Sequence, residues 1–141
     1  MVFVDATTLE LLLRLVVSII LGAVVGFERE VTHKPAGLRT HMLVSLGSAL
    51  FTIISVEFFQ LDPARVAAGI VTGIGFIGAG SIIATRGHVY GLTTAASLWV
   101  VAAIGLAVGI GAYLIALAAT VLVFLILQIK RVEKNFVKKI K

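Results

Sequence analysis

Long apolar runs, each interrupted by a few polar or glycine-rich positions, set the organisation of this chain. Five stretches come near the roughly 20 apolar residues that a helix needs to cross a hydrocarbon core. They fall at about 9–27, 41–59, 66–84, 93–109 and 112–129. The pattern predicts an all-α, polytopic integral membrane protein, a five-helix transmembrane bundle over residues 1–129. A short basic amphipathic tail over 130–141 follows, its Lys and Arg residues alternating with Val132, Phe136, Val137 and Ile140.

The polar positions inside the spans fall on faces when placed at 100° per residue. In the first span Arg14, Ser18, Gly22, Gly26 and Arg29 share one stripe, a seam of small residues with a cation at each end. Thr7 and Glu10 form a capping box that starts this helix near Thr8, and Glu10 is one turn from Arg14. In the second span His41, Ser45, Ser48, Thr52 and Ser55 line one narrow sector. Such a stripe is either a hydrogen-bonded helix seam or a polar path for an ion or water.

The third span holds Gly69, Gly73, Gly75, Gly78 and Gly80. Residues 73–78 match G-x-G-x-x-G in form, but a dinucleotide fingerprint requires an acidic residue about 20 positions on. No Asp or Glu occurs between Asp62 and Glu133. With Gly69, Gly73 and Gly80 on one face and Gly75 and Gly78 nearly opposite, the expectation is a central helix clasped from both sides. The alternative is a helix broken between Gly73 and Gly80, as in transporters. A short polar connection over 85–92 leads to a fourth helix capped by Thr93 or Thr94. That helix carries a Gly105/Gly109 seam, and a four-residue turn joins it to the fifth.

Composition sharpens this picture. The chain is 60% hydrophobic and 13% charged, with a mean hydropathy of +1.13. It has no cysteine, which removes disulfides, thiolate nucleophiles and thiolate metal sites. The basic residues are sorted by side. Arg29, Lys34, Arg39, Arg86 and the six in the tail fall on one side of a five-span arrangement, and Arg14 and Arg65 on the other. The positive-inside rule then places the N-terminus outside and the C-terminus in the cytoplasm. The net charge of +5 therefore signals orientation and contact with the lipid bilayer, with no nucleic-acid partner.

The densest polar block is Glu28-Arg29-Glu30 followed by His33, Lys34, Arg39, Thr40 and His41. Glu28 directly follows Gly26-Phe27, and an ionisable residue at membrane depth points to function. Arg39 is placed to neutralise Glu28 or to bind an anion, and Glu30, His33 and Lys34 read as an interfacial ion-pair cluster. Two carboxylates do not make a cage for a hard cation, and His33, His41 and His88 are too scattered for a zinc motif. Ser81 lies outside any G-x-S-x-G and no P-loop is present. The expectation is a protein that is not an enzyme and holds neither metal nor cofactor.

Four ordered motifs carry a resemblance: Gly22-x-x-x-Gly26-x-Glu28-Arg29-Glu30, Ala36-Gly37-Leu38-Arg39-Thr40-His41, Gly73-Ile-Gly75-Phe-Ile-Gly78-Ala-Gly80, and Gly91-Leu92-Thr93-Thr94-Ala95-Ala96-Ser97-Leu98-Trp99. Together they resemble the membrane domain of the MgtC/SapB family, from about residue 10 to about 127. The resemblance implies a bacterial inner-membrane regulator linked to growth at low magnesium and, in pathogens, to virulence. It implies action by binding other membrane proteins, membrane ATPases among them. The seams Gly22/Gly26, Gly69/Gly73 and Gly105/Gly109 are more than one small bundle needs to seal itself, so a homodimer or higher homo-oligomer is expected. The matching positions here are Glu28, Arg29, Arg39 and Gly91 to Thr94. Some members have Asn where this chain has Thr93. Many carry a soluble C-terminal domain, whereas this chain runs twelve residues past Ile129. The rival function is a small channel or transporter for Mg²⁺ or another cation, with Ser45, Ser48, Thr52 and Ser55 along its path.

Overall fold

The computed structural model describes residues 6–59, 62–85 and 88–140, with backbone alone at 6, 63 and 130–140. Its elements run α1 (Ala6–Val31), α2 (Leu38–Phe58), α3 (Pro63–Gly80), β1 (Ile83–Thr85), β2 (His88–Tyr90), α4 (Leu92–Gly109) and α5 (Tyr113–Ile140). Helices α1, α2 and α4 contain stretches long and apolar enough to cross a membrane, while Ala64–Gly80 and Tyr113–Ile129 are shorter apolar stretches. The protein is a polytopic membrane protein built as a five-helix bundle.

Helix ends follow local chemistry. Helix α1 begins at Ala6, ahead of the expected Thr8. It stops at Val31 because the chain turns left-handed at His33, with φ 53°. His33 N donates to the Glu30 carbonyl and Lys34 N to the Arg29 carbonyl, the paired bonds of a Schellman motif. Asp62 starts α3 by accepting from Arg65 N at 3.2 Å, with Pro63 in the first turn. Helix α4 starts at Leu92 after a left-handed Gly91, with no side-chain cap, so the expected Thr93 or Thr94 cap is not formed. Three residues, with Gly111 at φ 83°, join α4 to α5.

Two expectations for the 63–92 region are corrected. The polar connection is a small antiparallel ribbon, Ile83 opposite Tyr90 and Thr85 opposite His88, rather than plain loop. Isoleucine, valine, threonine and tyrosine there suit a pleated strand, and short range is all such a ribbon needs. Arg86 and the side chains of the basic tail lie outside the described residues. The backbone of residues 130–140 is helical and continuous with α5.

Helix α3 is continuous from Pro63 to Gly80, so the broken-helix alternative is not what forms. Nor is it clasped on both sides. A Cβ built at Gly69, Gly73, Gly75 or Gly80 would meet nothing within 4 Å, and Gly78 alone has a neighbour, Ala95 at 3.6 Å. The clasped helix is α2. A Cβ at Gly22 would stand 2.8 Å from the His41 carbonyl oxygen, and one at Gly26 2.9 Å from His41 Cβ. From the other side Gly105 sits on the Ser45 backbone and Gly109 on Ala49 and Thr52. Helix α4 is the hub, touching all four other helices. Its Val101, Ile104 and Val108 pack with Leu21, Val25, Ala116 and Leu127, and its Leu98 and Ala102 with Ile74 and Ala36.

Candidate functional site

The small-residue seams decide what becomes of the hydroxyl stripe. Because glycines let α1 and α4 approach α2 to backbone contact, His41, Ser45, Ser48, Thr52 and Ser55 are all buried. Ser48 Oγ donates to the Ala102 carbonyl at 2.6 Å and Thr52 Oγ1 to the Ser48 carbonyl at 2.8 Å. Ser45 Oγ is sealed without a hydrogen-bond partner among the described residues. The stripe is a closed seam between three helices, and the polar-path placement of these four residues is corrected accordingly.

At one end of that seam the block from Glu28 to His41 resolves into separate roles. Glu28 and Arg29, at the last turn of α1, are 7% and 3% exposed. They pair with each other, Arg29 Nη1 donating to Glu28 Oε2 at 3.2 Å. Arg39, expected to neutralise Glu28, is exposed instead. A buried charge requires a partner, and the adjacent residue supplies it.

Among the described residues Glu30 makes no ion pair. Its Oε2 accepts from Leu38 N at 2.9 Å, so a carboxylate from α1 caps α2 across the connecting loop. Gly37, the N-cap residue, makes no side-chain cap of its own. A side chain there would collide with the Glu30 carboxylate. His33 forms the left-handed close of α1 described above. Sequence spacing concealed both roles, because each depends on how the loop folds back. The sequence signal was Gly37 itself, a residue without a side chain directly before a helix.

His41 joins this end to α4. Its ring is fully buried; Nδ1 lies 2.9 Å from the Gly37 carbonyl and Nε2 3.1 Å from Ser97 Oγ. Ser97 Oγ also lies 2.8 Å from the Thr94 carbonyl. Ser97 is not singled out by the sequence, although Thr94 and Ser97 stand one turn apart on one face of an apolar helix. Thr94 is buried there and Thr93 exposed. The structure therefore brings Glu28, Arg29, His41, Thr94 and Ser97 to one end of the bundle and leaves Arg39 and Thr93 at the surface.

The opposite end is tied by Arg14. Rather than reaching toward solvent, it pairs with Glu10 at 2.5 Å and donates to the Gly109 carbonyl at 2.8 Å, at the C-terminus of α4. A cation is favourable at that pole of a helix.

A family model, the MgtC family, matches residues 15–136. This chain belongs to the MgtC family. Within that family it is 44% identical over 131 residues to YhiD of Escherichia coli K12, named as a candidate magnesium transporter; the match covers 86% of this chain and 61% of YhiD. It is 46% identical over 112 residues to Protein MgtC of Salmonella typhimurium LT2, covering 79% of this chain and 48% of that one. With Protein MgtC of Brucella abortus the identity is 48% over 110 residues, 77% and 45% of the two chains. The chain thus spans about half the length of the curated relatives it matches. No solved structure matches it. The buried Glu28/Arg29 pair and the His41 joint lie within the matched MgtC region.

Proposed function

We propose that this chain is a non-enzymatic regulator in a bacterial inner membrane, linked to magnesium homeostasis, that works by binding membrane helices. A second copy of itself is the first partner, and membrane ATPases are candidates beyond it. The C-terminus and the Glu28 end face the cytoplasm. One observation carries the reading. Glycines of α1 and α4 are used up inside the protomer, while Gly69, Gly73, Gly75 and Gly80 of α3 face open space. Interior glycines each cost about 1 kcal/mol of helix propensity, and α3 recovers little of that from its own bundle. Small residues of this kind let a second helix approach closely in lipid.

Beside them runs an apolar groove of about 690 Å³ between α2 and α3, with Gly47, Gly69 and Gly73 in its walls. Replacing Gly69 and Gly73 with Leu is expected to abolish self-association in lipid nanodiscs, read by single-molecule photobleaching, while the fold persists. Unchanged association would defeat the reading. The name of the YhiD relative favours a second one, magnesium transport. Purified protein in liposomes discriminates them: Mg²⁺ flux above that of empty vesicles would establish transport, and the closed hydroxyl seam supports the opposite result.

A further inference from the structure

His41 is a buried titratable group with more polar contacts than one of its charge states can satisfy. The chain of contacts runs Gly37 carbonyl, Nδ1, Nε2, Ser97 Oγ, Thr94 carbonyl, at 2.9, 3.1 and 2.8 Å. Three hydrogen bonds need three protons. A neutral imidazole has one N–H, and the serine hydroxyl has one O–H. With the ring proton on Nδ1, His41 donates to Gly37 and Ser97 donates to Nε2, so the Thr94 carbonyl loses the serine. With it on Nε2, Ser97 accepts and passes its own proton to Thr94, but Nδ1 then turns a lone pair toward the Gly37 carbonyl. Only the doubly protonated ring makes all three: Nδ1–H to Gly37, Nε2–H to Ser97, and Ser97 Oγ–H to Thr94.

The ring is fully enclosed, with α1 packed beside it. Gly26 of α1 lies against the His41 Cβ, and a methyl group there would come within 2.9 Å of it. The change must pass to Ser97 and Gly37, the contacts that join α2 to α4 and close the first turn of α2. The charged groups acting on the ring come from α1, Arg29 and Glu28, one of each sign and paired with each other. Helix α4 brings no titratable residue. Arg39 on α2 and His33 in the loop are exposed, and Lys34 is half-buried. The only charged residue of α3, Arg65, lies in its first turn near Asp62, at the other end of the bundle.

We propose that His41 is a proton-binding site at the α2/α4 joint, where uptake of one proton completes a hydrogen-bond chain that the neutral ring leaves one bond short. Proton concentration at the Glu28 end then sets whether the helix-end bonds on either side of the joint, His41 to Gly37 at the start of α2 and Ser97 to Thr94 in α4, are made together, while the His41–Ser97 contact between the helices is kept in every state. This site does not rest on the regulatory reading above, since a regulator and a transporter would both carry it.

The full chain with ¹⁵N-labelled histidine, in lipid nanodiscs, tests it directly. Between about pH 8 and about pH 4.5, the range in which histidine switches, the His41 ring is expected to pass from one protonated nitrogen to two. Trp99, the only tryptophan, lies two residues beyond Ser97, and its emission is expected to shift with the same midpoint. Ser97→Ala removes the acceptor for Nε2–H and should lower the proton affinity of the ring about ten-fold, the effect of one hydrogen bond to a charged group. His41→Gln should abolish the Trp99 titration. A wild-type ring that keeps a single N–H throughout would overturn the proposal, and that measurement needs no variant to fold. So would a Trp99 titration that persists in His41→Gln, or a ring titration unmoved by Ser97→Ala.

Discussion

A glycine in this bundle has opposite consequences depending on what stands across from its Cα. Gly105 lies against the Ser45 backbone, so Gly105→Ala must push α2 and α4 apart. Overpacking of this kind costs about 1–3 kcal/mol. Gly73 faces open space, so Gly73→Ala should stabilise the isolated protomer by up to about 1 kcal/mol through helix propensity alone. Unfolding in detergent micelles, where the protomer is separated, measures both. Equal effects at the two positions would contradict the packing described here. His33 adds a third case, because it holds φ 53° without being glycine. A left-handed conformation costs a residue with a Cβ about 1–2 kcal/mol, so His33→Gly is expected to raise stability by a comparable amount in the same assay.

At the scale of elements, the α1/α2 turn shows how a helix end is completed from outside its own segment. Gly37 offers α2 no side-chain oxygen, and Glu30 supplies one from α1. Glu30→Ala should therefore fray α2, at a cost of about 0.5–2 kcal/mol. Faster hydrogen exchange confined to the amides of Leu38, Arg39 and Thr40 would be its signature. This contact was not legible in the sequence, where Glu30, His33 and Lys34 read as one ion-pair cluster. The helices themselves were legible to within a few residues, apart from the end of α5 at Ile140, because apolar run length and glycine or proline breaks fix them locally. The hydroxyl stripe and the Arg14 to Arg29 stripe were legible as buried faces for the same reason of periodicity. What periodicity cannot supply is which seam meets which. Five glycines made α3 look central, yet in a membrane a glycine face fits a neighbour inside the protomer or outside it equally well. Ser97 likewise became a site residue only when His41 was found opposite it.

For the molecule as a whole, the seams divide the bundle into a tightly joined trio, α1, α2 and α4, and two helices laid on it. Helix α2 meets α1 and α4 at backbone distance along its length, with further ties from Ser48 to Ala102 and from His41 to Ser97. Helix α3 packs mainly on α4 and meets α2 only sparsely, and most of its residues are exposed. Local opening depends on buried contact and on protected backbone bonds. Opening α2 requires breaking the trio, whereas α3 can separate while the trio persists. Amide exchange on the full chain in nanodiscs should therefore rank α2 and α4 as slowest and α3 as markedly faster when the chain is held as a monomer by dilution in lipid. Raising the protein-to-lipid ratio should slow α3 selectively if a second copy covers Gly69 and Gly73. Uniform protection across all helices at low density would mean that α3 is bound more tightly within the protomer than its open glycine face allows.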